Sequence, residues 1–115
     1  MRSYRLSPQA EQTLEDIIGW TIDNFGLNQA IKYKNQLIYR LSSLALKELP
    51  NGRSCDILLT GIRQTDDLEY YREGRHYIIY RNATDGIFVV DFVHSSRNLE
   101  AIIQELLLNQ RGQTS

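Results

Sequence analysis

Two histidines, His76 and His94, and the arginines at 63, 72, 75, 81 and 97 are the side chains of this chain best suited to chemistry. Imidazole titrates near neutrality and is the commonest general acid or base, while guanidinium groups stabilise negative charge that develops on an oxygen. Tyr80, directly before Arg81, adds a phenol that can donate or accept a hydrogen bond. His94 closes an apolar run and precedes Ser95-Ser96, where a loop-borne site can form, so it is the first catalytic candidate; Tyr80 and Arg81 are the weaker ones. His76 stands at the start of a strand-like run, beside a turn, and is read as structural. For Arg81, snorkelling to solvent, pairing with Asp85 and a functional role all stay open. Arg63, Arg72, Arg75 and Arg97 can converge on one basic edge, although charges at strand ends ordinarily face water and discourage edge pairing.

The sequence holds no nucleotide-binding glycine loop, no zinc-type Cys/His cluster and no Ser-His-Asp pattern at recognisable spacing, so neither cofactor nor metal is expected. Cys55 is the one cysteine; it excludes an internal disulfide, suits a reducing compartment and reads as a small buried hydrophobe. The 13 Lys plus Arg against 14 Asp plus Glu give a net charge of −1, so no overall positive field gathers nucleic acid and strong direct nucleic-acid binding is not expected. No apolar run approaches the ~20 residues of a membrane-spanning helix, and residues 1–5 lack the apolar stretch of a signal peptide. A cytoplasmic protein without a membrane partner is the expectation.

The elements that must position these side chains follow from periodicity. Residues 3–6 alternate, with Tyr4 and Leu6 on one face of a short strand, and Ser7-Pro8 pairs an N-cap hydroxyl with a proline at the first helical position. Ala10, Leu14, Ile17, Ile18, Ile22 and Phe25 then step at helical spacing until Gly26, and Trp20, close to that stripe, is read as core. Asn28 is the expected N-cap of a second helix over about 29–47, carrying Ile31, Tyr33, Leu37, Leu41, Leu44 and Ala45 and ending before Pro50-Asn51-Gly52. Residues 76–81 (HYIIYR) and 87–93 (IFVVDFV) are β-branched and aromatic, joined by the turn residues 82–86, and residues 68–72 pair with them through Glu73-Gly74-Arg75. Strand alternation puts His76, Ile78 and Tyr80 on one face, opposite Tyr77, Ile79 and Arg81. Residues 56–64 read as a turn leading into a strand. Leu99, Ile102, Ile103, Leu106 and Leu107 mark a terminal amphipathic helix before a polar tail at about 110–115. The chain of 115 residues, 42% apolar and 23% charged, therefore reads as one α+β domain of two layers: an N-terminal strand, a helical hairpin, an antiparallel sheet meander and a C-terminal helix.

This order resembles the ParE branch of the ParE/RelE toxins of type II toxin–antitoxin pairs. The opening YRLSPQAEQTLEDII is similar to the strand and Ser-Pro cap of ParE sequences, and Phe25, Gly26, Gln29, Ala30 and Tyr33 match the aromatic-Gly-x-x-Gln-Ala-x-x-Tyr joint between the helices. Gly52 to Asp56, Gly61-Ile62-Arg63, the strand from His76 to Arg81 and the closure on Val93-His94 continue the likeness to about Asn98. The chain departs in a longer stretch between Arg63 and His76 and in a longer helix after Asn98. The resemblance implies a toxin that blocks replication through DNA gyrase and is held inactive by a ParD-like antitoxin, with growth arrest as the outcome. It also implies target contacts at Arg63, Arg81, His94 and Arg97, while the terminal stripe Leu99, Ile102, Ile103 and Leu106 packs internally or accepts the antitoxin. The near-neutral charge favours that branch over the RelE-like alternative, a ribosome-dependent mRNA endoribonuclease, whose phosphate contacts gain from a basic surface. An inactive relative that binds only the antitoxin is the third reading.

Overall fold

A computed structural model of the chain describes residues 3–55 and 68–114, with side chains as far as 108. In chain order the elements are β1 (Ser3–Leu6), α1 (Pro8–Phe25), α2 (Leu27–Ala45), β2 (Arg53–Ser54), β3 (Leu68–Glu73), β4 (His76–Ala83), β5 (Gly86–His94) and α3 (Leu99–Thr114). The segment read as a turn into a strand at 56–64, with Arg63, lies outside the described residues. The strands form one sheet in the order β1-β5-β4-β3-β2, in which β1 lies parallel to β5 and the other pairs are antiparallel.

Ser7 starts α1 as its type and position dictate: its Oγ accepts the Ala10 N–H at 2.9 Å and donates to the Val90 carbonyl at 2.7 Å. One side chain thus caps the helix and pins it to the sheet. Gly26 ends α1 at φ 91°, a left-handed conformation open to glycine without a Cβ penalty. The expected cap at Asn28 is replaced: α2 begins at Leu27, and Gly26 itself serves as N-cap with no side-chain hydrogen bond. A one-residue joint leaves no room for a separate Asn cap.

Two apolar clusters lie on opposite faces of the sheet. Leu14 and Ile17 of α1 and Leu37 and Leu41 of α2 pack on Ile78, Tyr80, Val89 and Phe92. On the other face Leu99, Ile103 and Leu107 of α3 cover Leu68, Ile79 and Val93. The α+β architecture holds, and α3 adds a third layer to the two expected from the hairpin and sheet. Ile103 is fully buried there, worth about 2 kcal/mol of hydrophobic burial.

The expected core stripe of α1 fails at its C-terminal end. Trp20 and Phe25 are 51% and 52% exposed, and Ile22 and, on α2, Ile31 are exposed too. Length explains this. The cap beside Val90 fixes where α1 starts, and its 18 residues run about 27 Å, whereas the strand from Val90 to His94 extends only about 13 Å further. The helical hairpin overhangs the sheet, and apolar residues on the overhang have no strand beneath them.

Candidate functional site

The overhang roofs a cleft of about 660 Å³ whose walls are α1, α2 and the ends of β4 and β5. Ile17, Trp20 and Phe25 line it from α1, Tyr33 from α2, and Arg75, His76 and His94 from the sheet end. Phe25 meets the Trp20 ring edge-on at 5.7 Å, and the Arg75 guanidinium sits 5.3 Å over the Phe25 ring. Two devices place these groups.

The first is a β-bulge. Ile79 pairs with Asp91 and Tyr80 with Val89, so Val90 is an extra residue in β5. Ile87 and Val89 face the hairpin; after the bulge Phe92 does, and His94 with it. Simple alternation from Ile87 would put His94 on the α3 side. The bulge instead sets it beside His76, its cross-strand partner, with ring centroids 5.2 Å apart and planes at 85°. Its polar groups are satisfied locally: Ser7 Oγ donates to the Val90 carbonyl, and Asp91 Oδ1 accepts the Phe92 N–H at 2.8 Å and the Thr13 hydroxyl at 2.7 Å.

The second device is the turn between β3 and β4. Glu73 accepts Arg40 Nε at 2.7 Å and Gln36 Nε2 at 2.6 Å, clamping α2 to the end of β3. The pair is largely shielded, its side chains 17% and 14% exposed, and the Arg40 guanidinium also lies 4.7 Å over the Tyr71 ring. Gly74 follows at φ 60°, where an added Cβ would come within 2.7 Å of the Tyr33 ring. Close approach there lets the Tyr33 hydroxyl accept the Arg75 backbone N–H at 3.1 Å, 2.7 Å from His76 Nδ1 and 3.2 Å from the Glu73 carbonyl. Burial raises the Tyr33 pKa, so the phenol keeps its proton.

Burial, the neighbouring His94 and the Arg75 guanidinium together hold His76 down at about 4, so it is neutral at physiological pH. When the Tyr33 proton points to the nearer acceptor, His76 Nδ1, the imidazole carries its own proton on Nε2. His94 Nδ1 accepts the Ser96 backbone N–H at 3.0 Å, which likewise puts its proton on Nε2. Two Nε2–H donors and one guanidinium therefore belong to one apolar-walled cleft. Among the described residues no group of three His, Cys, Asp or Glu side chains is placed to hold a metal ion.

The candidates from the sequence separate. His94 lies in the cleft, and Arg97 follows on the next turn, its N–H bonded to the His94 carbonyl at 3.0 Å. Tyr80 is buried in the hairpin-side core; its hydroxyl donates to Glu69 at 2.8 Å, and burial and that bond push its pKa far up. A phenol so held is packing, not a proton donor for a solvent-facing site. Arg81 pairs with Phe88, five residues along β4 from His76 and on the opposite face, so the structure does not bring it to His94. Leu99 and Ile103 of α3 are buried against the sheet, and Ile102 and Leu106 are half-buried beside them. His76, Trp20 and Tyr33, read from the sequence as structural, and Arg75, read as part of a solvent-facing basic edge, are cleft residues as well. Asp91, a carboxylate inside an apolar strand, was the signal of the bulge that joins the two histidines.

The family model for the ParE toxin of the type II toxin–antitoxin system parDE matches residues 4–99. Toxin ParE1 of Mycobacterium tuberculosis, in strains CDC 1551 / Oshkosh and H37Rv, is 32% identical over 98 residues, covering 84% of this chain and 93% of the relative. A solved structure described as the chromosomal ParDE TA system from P. aeruginosa superposes with a TM-score of 0.59 at 11% identity, covering 82% of this chain and 96% of that one. At that identity the likeness establishes the fold alone.

Proposed function

The chain belongs to the ParE toxin family of type II toxin–antitoxin systems, and from that premise we propose that it inhibits DNA gyrase and is neutralised by a cognate ParD-like antitoxin. The observation that carries the reading is the family match over residues 4–99, which spans β1 to the start of α3 and so includes every described strand. The state of His76 agrees with it. A general acid or base works best with a pKa near the operating pH, and an imidazole held at about 4 is poorly matched to acid catalysis at neutrality. His76 therefore suits recognition better than acid catalysis.

Target contact is assigned to the sheet end that carries His94, which lines the cleft, and Arg97, whose backbone N–H bonds the His94 carbonyl. Arg81, at the far end of β4, is no part of that sheet end. Antitoxin contact is assigned to α3, through Ile102 and Leu106 on its half-buried side; Leu99 and Ile103 become available only if α3 lifts from the sheet. The protein is taken to act in the cytoplasm, where gyrase works. No helix among the described residues is long and apolar enough to cross a membrane.

The juxtaposition of His76, His94 and Arg75 favours a second reading, an mRNA endoribonuclease, because imidazoles beside a guanidinium are the groups phosphodiester cleavage uses. Induced expression in cells separates the two. Growth arrest with a DNA-damage response and intact mRNA is expected; arrest with fragmented mRNA that disappears in His94→Ala would replace the gyrase reading with the nuclease one. Unimpaired growth would leave an antitoxin-binding relative without toxicity.

A further inference from the structure

The overhang cleft differs from a bare apolar patch in what its floor offers. Its walls are Ile17, Trp20 and Phe25, and its floor holds the Arg75 guanidinium with the two imidazoles. Both imidazoles are fixed through Nδ1, His76 to Tyr33 and His94 to Ser96, so Nε2–H is the polar atom each has left to give. Arg75 has no ion-pair partner among the described residues, and its guanidinium rests on the Phe25 face. The lining carries one carboxylate, Asp16, which is exposed and accepts from Gln12 Nε2 at 3.0 Å. Glu73, the other acid nearby, is fully engaged by Arg40 and Gln36.

Three donors without acceptors, set between aromatic walls, are the complement of an anionic oxygen group attached to an apolar ring. We propose that this cleft binds small organic anions in which an aromatic body carries a phosphate or a carboxylate, the ring against Trp20 and Ile17 and the oxygens on Arg75, His76 and His94. A volume of about 660 Å³ falls within the roughly 300–1,000 Å³ of small-molecule sites, enough for a ligand of one or two rings. Burial, the neighbouring His94 and the Arg75 guanidinium hold His76 down, so it meets a ligand as a neutral Nε2–H donor. The site is independent of the gyrase reading; neither needs the other.

The composition of the chain makes the test direct. Trp20 is its one tryptophan and His76 and His94 are its two histidines, and all three line the cleft. Tryptophan fluorescence and the histidine ring signals in NMR therefore report on this site without labelling. The full chain is titrated with phenyl phosphate and with phenylacetate, and with inorganic phosphate and benzyl alcohol as the headgroup-only and ring-only controls. Saturable fluorescence change with both histidine signals moving is expected for an aromatic anion, with each control weaker by about tenfold or more. The tighter of the two anions identifies the headgroup. Arg75→Gln, an exposed side chain whose loss leaves the core intact, is expected to weaken the aromatic anion by about tenfold with an unchanged melting temperature. Absence of saturation by both anions overturns the proposal, as does equal binding of benzyl alcohol, equal binding of inorganic phosphate, or undiminished binding in folded Arg75→Gln.

Discussion

Lowering the pH should destabilise this protein through one imidazole. His76 titrates at about 4 in the folded chain and near 6.5 when unfolded. Between those values the unfolded state binds the extra proton, so stability is fully present above about pH 6.5 and is lost as pH falls toward 4. Taken whole, a shift of that size corresponds to about 3 kcal/mol. The ring is only half-buried and solvent screens part of the effect, which leaves roughly 1 kcal/mol. For a domain of this length that is a fall of about 4 °C in melting temperature between pH 7 and pH 5 beyond what the carboxylates contribute. His76→Gln keeps a hydrogen-bond acceptor for the Tyr33 hydroxyl and cannot protonate in this range. Thermal unfolding of wild type and His76→Gln at half-unit pH steps isolates the imidazole: the two curves should run parallel above pH 7 and converge or cross as pH approaches 5. Curves that stay parallel throughout would refute the burial of an uncharged His76 beside Arg75 and His94.

Other parts of the structure give equally definite expectations. Gly86→Ala puts a Cβ at φ 149° within 1.6 Å of the Ser3 carbonyl, so the β1–β5 pairing must open; a loss of about 2 kcal/mol or more and lost amide protection over residues 3–6 are expected in hydrogen exchange. Glu73→Gln removes the charge facing Arg40 in a largely shielded pair, with about 2 kcal/mol lost in urea unfolding. Ile103→Asp places a carboxylate in the fully buried cluster beneath α3 and should cost about 3 kcal/mol or more; a wild-type melting temperature with undiminished antitoxin binding would mean that α3 neither packs on the sheet nor meets the antitoxin there.

Much of this fold was legible in the residues because local chemistry decided it. Ser7-Pro8 and Gly26 punctuate α1, the 76–93 hairpin follows from β-branched and aromatic runs about a turn, and plain alternation along β4 separated Tyr80 from Arg81 correctly. The candidate site was less legible because its determinants are not local. Trp20 follows a helical stripe that looks like core, and only the relative lengths of α1 and the strands beneath it leave it exposed. His94 reaches His76 because one extra residue at Val90 reverses the facing of the strand end, which periodicity of two does not anticipate. The stripe of α3 was evident, yet nothing in its spacing says that it covers the face opposite the helical hairpin. Arg75 reads as a turn residue until the clamp of Glu73 by Arg40 and Gln36 carries that turn under α2.

The proposed inhibition of gyrase by this ParE family member is tested by supercoiling of relaxed plasmid by purified gyrase with and without the purified chain. Loss of supercoiling or trapped cleaved DNA, reversed when the antitoxin is added first, is the predicted result. Undiminished supercoiling at a large molar excess of folded toxin, alongside translation-dependent mRNA fragmentation in a parallel reaction, would contradict it.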